Sequence, residues 1–102
     1  MPQFLHIVLV QFKAETPLQT IDDIFSSLSA LLERNLIPGL LEYNGGAYDS
    51  PEGFNKGFTH AFTMKFADRE SRDAYFPHPE HDKVKDALLE NVDNAVAFDF
   101  AL

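Results

Sequence analysis

The sequence has no cysteine among its 102 residues, and it is poor in positive charge. Without thiols, the sequence excludes disulfide scaffolds, cysteine nucleophiles, iron–sulfur clusters and cysteine-based zinc sites. Eight Lys and Arg residues stand against sixteen Asp and Glu residues, which gives a net charge of −8. Nucleic acids and anionic membranes bind clustered basic side chains, so this balance argues against both as partners.

Long apolar runs are missing as well. The longest one, Ile7 to Val10, is far too short to span a bilayer, and the N-terminus lacks the basic and apolar segments of a signal peptide. We therefore expect a cytoplasmic protein. The composition that is present, 45% apolar and 24% charged, is typical of a compact domain. We assign residues 1–102 to a single domain.

Hydrophobic periodicity predicts four strands. Apolar residues occupy both faces of residues 4–12, which indicates a central strand buried on both sides. Alternation predicts further strands over residues 40–43, 58–66 and 95–102. The segment 47–57 is rich in Asp, Ser, Pro, Gly and Asn, so we interpret it as a loop.

Helical spacing and helix-breaking residues predict the helices. Thr16 is the expected N-cap of the first helix, with Pro17 at the first helical position and Gln19 completing a capping box, and Pro38-Gly39 stops the helix. Asp68 is expected to cap a short helix that runs to about Tyr75, where Pro77 breaks it. A further helix covers about residues 80–90.

The resulting order, β-α-β-β-α-β, predicts an α+β ferredoxin-like fold: a four-stranded antiparallel sheet with the helices on one face. The other face carries Leu5, Ile7 and Leu9, which are too apolar to be left in water. A second copy of the sheet would cover them, so we expect a homodimer through this face. The alternative is a monomer in which the loop 47–57 folds over the sheet.

Three of the four histidines are predicted to point between the sheet and the helices. His6 and His60 lie on strand faces that should meet the helices, and His81 shares a helical stripe with Val84 and Leu88. Each alone is best explained as a core histidine, but three together favour a polar pocket, because buried imidazoles need partners. Its expected apolar walls are Phe25, Leu28, Phe58 and Phe62.

The same positions argue against a metal site. Pro79 separates His78 from His81, and His6 and His60 should lie toward opposite ends of the sheet. We therefore predict no metal and no cofactor, and a structural capping role for His78. The carboxylates fall mostly on solvent-facing sides of helices, and the chain has no phosphate-binding glycine loop and no nucleophile elbow.

Two tracts carry a resemblance to a known family. Residues 57–61 (GFTHA) and 74–81 (AYFPHPEH) resemble the two signatures of the stress-responsive A/B barrel (Dabb) family. The first strand at 6–13, the loop at 50–53 and the last strand at 98–100 are also similar to that family, so the resemblance covers essentially the whole chain. It implies a dimeric α/β barrel, in which the sheets of two ferredoxin-like protomers face each other.

The resemblance also implies a chemistry. The family includes a plant polyketide cyclase that works without a metal, in which residues matching His81 and Tyr75 are the catalytic pair and histidines matching His6 and His60 line the cavity. In such a site His81 would take a proton from a carbon acid, and the Tyr75 hydroxyl would donate to the developing enolate oxygen.

Two function hypotheses remain open at this point. The first is a cofactor-free acid–base enzyme of cyclase or isomerase type, acting on a small carbonyl-rich or phenolic molecule; related dimeric barrels include cofactor-free monooxygenases. The second is a non-catalytic stress-responsive or ligand-binding dimer. The fold alone does not decide between them, because one fold hosts many functions.

Overall fold

A computed structural model describes residues 2–102. The elements, in chain order, are β1 (Phe4–Phe12), α1 (Leu18–Glu33), β2 (Leu40–Ala47), β3 (His60–Phe66), α2 (Arg69–Tyr75), α3 (Pro79–Glu90) and β4 (Val92–Ala101). The four strands form one antiparallel sheet in the order β2-β3-β1-β4, with three helices packed on one face, which confirms the predicted α+β topology. Every helix in residues 2–102 falls short of the length and apolarity that a bilayer span requires.

Strand β1 lies in the middle of the sheet, and its side chains point alternately to the helix side and to the opposite face. Alternate residues from Phe4 to Phe12 are buried, and the residues between them are partly exposed. The buried set faces the helices, where it meets the apolar stripe of α1 and the inward residues of β3. This layer between sheet and helices is the core of the protein.

The predicted ends of the first helix are wrong. Pro17, not Thr16, is the N-cap of α1, and no side chain caps it. The Thr16 hydroxyl instead donates to the carbonyl of Asn91, 3.4 Å away. The helix ends at Glu33 rather than at Pro38, and Asn35 soon afterwards takes a left-handed φ of 51°, which turns the chain away from the helix axis.

The strands also differ from their predicted bounds. β2 continues through Gly45 and Gly46 to Ala47, so the connecting loop covers 48–59 and β3 begins at His60 rather than at Phe58. β4 begins three residues early, at Val92. At Gly45 an added Cβ would lie 2.9 Å from Cε1 of Phe25, so the missing side chain leaves room for that ring on the sheet.

The predicted caps of the two later helices are confirmed. The Asp68 carboxylate accepts a hydrogen bond from the backbone N–H of Ser71 at 2.8 Å, and this bond lowers the pKa of Asp68. Nδ1 of His78 accepts from the backbone N–H of Glu80 at 3.1 Å, while Pro79 occupies the first turn of α3. His78 therefore has the capping role that its position before Pro79 predicted.

Gly39 should be intolerant of a side chain. Its φ of 82° lies in the left-handed region, and an added Cβ would collide with the Ser71 side chain. We expect Gly39→Ala to lower the free energy of unfolding by about 2–5 kcal/mol, from backbone strain plus overpacking. Gly53→Ala is the matched control, because Gly53 has a similar φ of 73° but open space around it. Urea unfolding of both variants measures the difference; equal losses would mean that the contact with Ser71 contributes nothing.

Candidate active site between the sheet and the helices

A row of aromatic and imidazole rings crosses the layer between the sheet and the helices. Phe62 of β3 lies at its middle, with ring centroids 6.4 Å from His6 on one side and 6.4 Å from Phe25 on the other. We call this set the aromatic row. Its members, from one end to the other, are His81, Tyr75, Phe76, His6, Phe62, Phe25, His60 and Phe12.

The closest ring contact at one end joins Tyr75 and His81, the predicted catalytic pair. Their centroids are 4.2 Å apart, with 42° between the ring planes. Nδ1 of His81 lies 2.9 Å from the carbonyl oxygen of Phe76. Because a carbonyl oxygen only accepts, Nδ1 donates this bond, and the neutral ring then has its lone pair on Nε2. Phe76 lies in the break between α2 and α3, so the His81 ring is oriented by a residue only five positions before it.

Burial sets the protonation of the pair. Tyr75 is only 1% exposed, and burial raises the pKa of its phenol, so the hydroxyl stays protonated. Burial also lowers the pKa of His81; the hydrogen bond to Phe76 and the charge of Asp82 oppose this shift, whereas Lys85 and His6 add to it. At neutral pH the pair therefore consists of a free imidazole base beside a phenol donor. These are the two groups that proton abstraction next to a carbonyl requires.

His6 lies beside this pair, with two partners that the sequence reasoning missed. His6 is 5% exposed, and its Nδ1 is 2.6 Å from Oδ1 of Asp99 on the neighbouring strand β4. The other carboxylate oxygen, Oδ2, accepts from Nη1 of Arg72 at 2.9 Å. The sequence does mark Asp99 as unusual, because it is the one charged residue in the apolar run 95–102. Connecting it to His6 needs the pairing of β4 with β1.

His60 lies at the opposite end of the aromatic row. Its ring packs on Phe12 at 5.0 Å and on Phe25 at 5.5 Å. His60 pairs with Val10 and Met64 with His6, so four residues of β1 (10 − 6 = 4), or about 13 Å, separate the two histidines. The prediction that they lie toward opposite ends of the sheet is confirmed. The expectation that His60 faces the Tyr75–His81 pair is wrong, because the register of β3 places it too far along the sheet.

The predicted walls divide into two groups. Phe25 and Phe62 belong to the aromatic row, and Leu28 is buried in the core beside them. Phe58 does not join them, because it precedes β3 and lies in the connecting loop, where it lines a hollow of about 90 Å³ together with Leu9, His60 and Ala61. The expectation that Phe58 continues the inward face of β3 is therefore wrong.

Tyr75 also lies beside a hollow between α2 and the turn that precedes β2. This hollow has a volume of about 260 Å³, slightly less than the range of about 300–1,000 Å³ that is typical of small-molecule sites. Its lining combines apolar and polar residues, among them Ile37, Ser71, Tyr75 and His78. Within residues 2–102, no group of three or more His, Asp or Glu side chains is arranged to hold a metal ion.

Acid should destabilise the protein through two of its histidines. Burial lowers the pKa of both His81 and His60, with Asp22 opposing the shift at His60. The unfolded chain then takes up these protons first, near its ordinary value of about 6.5, so their stability contribution is complete above that pH and is lost as the pH falls through the lowered folded values. We expect the free energy of unfolding to fall less between about pH 7 and pH 5 in the His60→Gln/His81→Gln variant than in the wild type. Urea titrations at equal protein concentration test this; parallel pH profiles would contradict it.

The fold and the aromatic row together define a ferredoxin-like α+β protein with a histidine–tyrosine pair between its sheet and its helices. The model of one family, the stress-responsive A/B barrel domain (Dabb), matches residues 4–102, and the chain belongs to this family. A stress-response A/B barrel domain-containing protein of Arabidopsis thaliana is 32% identical over 97 residues, covering 95% of this chain and 84% of that protein. The resemblance in the two sequence signatures is thereby confirmed.

Solved structures show the same fold. A hydroxynitrile lyase from Passiflora edulis superposes with a TM-score of 0.89 at 22% identity, covering 99% of this chain and 94% of the lyase. A dimeric ferredoxin-like protein of unknown function from Jannaschia sp. CCS1 gives a TM-score of 0.86 at 23% identity, over 98% of this chain and 99% of that one. Other similar structures are also described as dimeric ferredoxin-like proteins.

Proposed function

We propose that the protein is a cofactor-free acid–base enzyme of cyclase or isomerase type, acting on a small carbonyl-rich or phenolic molecule. The observation that carries this proposal is the contact between Tyr75 and His81, in which the Phe76 carbonyl leaves Nε2 of His81 as the free base. Burial supports both roles, since it keeps the imidazole neutral and the phenol protonated. The similar structure named a hydroxynitrile lyase agrees with a catalytic use of this fold.

The proposed reaction needs proton transfers and, for a cyclisation, one new carbon–carbon bond. Nε2 of His81 takes a proton from the carbon next to a carbonyl group, and the Tyr75 hydroxyl donates a hydrogen bond to the oxygen on which negative charge develops. In an isomerisation the proton returns to another carbon. In a cyclisation the enolate carbon bonds to a second carbonyl carbon of the same molecule, whose oxygen then takes up a proton. Neither reaction consumes an oxidant or a reductant.

The packing around Tyr75 favours the second candidate function, a non-catalytic stress-responsive or ligand-binding dimer. The Tyr75 ring contacts Phe66 at 5.3 Å and Phe76 at 5.8 Å, and almost none of its surface is open to solvent. On this hypothesis the His81–Tyr75 contact serves only to hold α2 against α3.

We also propose that the protein is a homodimer through the uncovered face of its sheet. In β1 and β4 the register places Phe98 beside Ile7, and Phe98 is 63% exposed. The loop 48–59 lies at the end of this face near Leu9 and Gln11, and Phe98 and Phe100 stay exposed, so the loop does not supply the cover that a monomer would need. We call the apolar part of this surface the open face; it consists of Leu5, Ile7, Leu9, Val96, Phe98 and Phe100.

Hydrogen exchange at carbon tests the proposed chemistry without knowledge of the substrate. A panel of small β-dicarbonyl and phenolic probes in D₂O is followed by proton NMR for deuterium uptake at carbon, with and without a chelator. We expect uptake faster than in buffer, unchanged by the chelator and rising with pH through a value below the ordinary histidine pKa of 6.5, because the neutral imidazole is the active form. Abolition by the chelator would contradict the mechanism, and no uptake from any probe would favour the non-catalytic dimer.

A further inference from the structure

We propose that Arg72 is a positioning residue that acts through Asp99 on His6, and that this chain prepares His6 as a second proton-transfer group beside the Tyr75–His81 pair. The second half of this inference rests on the proposed function; the first half does not. Arg72 never touches the pair's reactive atoms. It holds the carboxylate that in turn holds the imidazole.

The chain of contacts is continuous and crosses three elements. Nη1 of Arg72 on α2 donates to Oδ2 of Asp99 on β4 at 2.9 Å. Oδ1 of the same carboxylate lies 2.6 Å from Nδ1 of His6 on β1. An ionised carboxylate only accepts, so Nδ1 carries the hydrogen of this bond. His6 can then exchange protons with a bound molecule only through Nε2.

The position of the His6 ring makes this nitrogen relevant to the pair. The ring meets Tyr75 and Phe76 edge-on, at centroid distances of 6.0 and 5.6 Å. It is therefore the nearest imidazole on the sheet side of Tyr75. The proposed reaction contains two proton transfers, one from carbon and one to carbon or oxygen, and a second oriented imidazole provides a separate group for the second transfer.

Arg72 is itself held on several sides, as a positioning role requires. Its guanidinium lies over the Phe4 ring at 4.9 Å and near the Phe76 ring at 5.9 Å. Its Nε donates to Asp73 at 2.8 Å, and the side chain is only 14% exposed. A planar guanidinium fixed in this way gives the Asp99 carboxylate one orientation. Without it, that carboxylate would lose its charged partner and could turn away from His6.

The chain offers a matched control on the same helix. Arg69 also places its guanidinium over the Phe4 ring, at 4.7 Å, but it is Arg72 that reaches Asp99. Arg69→Met therefore removes one positive charge and one ring contact, but it leaves the contacts from Arg72 through Asp99 to His6 in place. Arg72→Met removes one positive charge and also the hydrogen bonds to Asp73 and Asp99. Arg72→Lys keeps the charge but lacks the planar guanidinium group.

Nitrogen-15 NMR of the histidine rings reads the positioning directly, with no substrate. We expect the wild type and Arg69→Met to have the His6 ring proton held on Nδ1, and Arg72→Met to show a mixture of ring tautomers with faster exchange of that proton. Arg72→Lys should fall between the two, and it remains informative if Arg72→Met does not fold. An unchanged His6 spectrum in Arg72→Met, or in Arg72→Lys if only that variant folds, would overturn the positioning role.

The deuterium-uptake assay tests whether His6 acts as a second proton-transfer group. We expect Arg72→Met to lower kcat about 10-fold with little change in KM, because misorientation of a proton-transfer group acts on the chemical step, whereas Arg69→Met should keep wild-type kcat. Equal losses in both variants would overturn the role of the Asp99 contact. If the wild type has no activity on any probe, the proposed function fails, and the NMR result still decides whether Arg72 positions His6.

Discussion

His81→Ala should lower the rate of the acid–base reaction by about 10²–10⁴-fold, which is the usual contribution of one positioned general base. The side chain is half-buried at the start of α3, and the cap of that helix belongs to His78, so the variant should fold. The loss should appear in kcat, because the imidazole takes part in the proton-transfer step and not in substrate binding. Tyr75→Phe removes only a hydroxyl and should cost less.

His78→Asn is the control for this experiment. It removes an imidazole from the same tract, and asparagine is a good N-cap, so α3 keeps its start. We expect this variant to retain wild-type kcat in the deuterium-uptake assay. Full activity in His81→Ala, or an equal loss in His78→Asn, would mean that His81 is not the base.

Ile7→Glu should convert the proposed homodimer into a monomer. Ile7 lies at the centre of the open face, between Thr63 of β3 and Phe98 of β4. In a two-fold dimer the substitution buries two carboxylates without partners, at a cost of about 3–5 kcal/mol, which corresponds to a rise of about 10²–10⁴-fold in Kd. Sedimentation velocity over a dilution series measures the shift, and circular dichroism checks that the variant is folded.

Leu89→Glu is the matched control for the dimer. Leu89 is also a large apolar residue with an exposed side chain, but it lies on α3, on the helix side of the sheet. The same change of an apolar residue to an acidic one should leave the dimer intact there. A wild-type chain that sediments as a folded monomer, or an Ile7→Glu variant that stays dimeric, would show that the open face is not the interface.

The order of the elements was predictable from the sequence because its causes are local, whereas the Tyr75–His81 pair was expected from the resemblance of residues 74–81 to a family signature. Alternation in 60–66 predicts which residues of β3 face the helices, and burial in β3 follows it from Phe62 onward. In 4–12 both faces are apolar, and only the structure shows that one of them is the buried one. The two members of the pair are six positions apart (81 − 75 = 6) on either side of a proline break. In the structure the break between α2 and α3 places the two rings in contact. Among the elements, only the helix and strand ends went wrong, where single hydrogen bonds decide.

Sequence by itself thus determined the strand and helix order and the caps of α2 and α3, and its resemblance to a family pointed to the histidine–tyrosine pair. The tertiary structure decided what depends on register. His6 and Asp99 are 93 positions apart and meet only because β4 lies beside β1 in one particular alignment. The pairing of β4 with β1 also put Phe98 next to Ile7 on the open face. A strand's own pattern shows which side each residue faces. Which strands become neighbours, and which of their residues meet, depends on contacts between segments that are far apart in the chain.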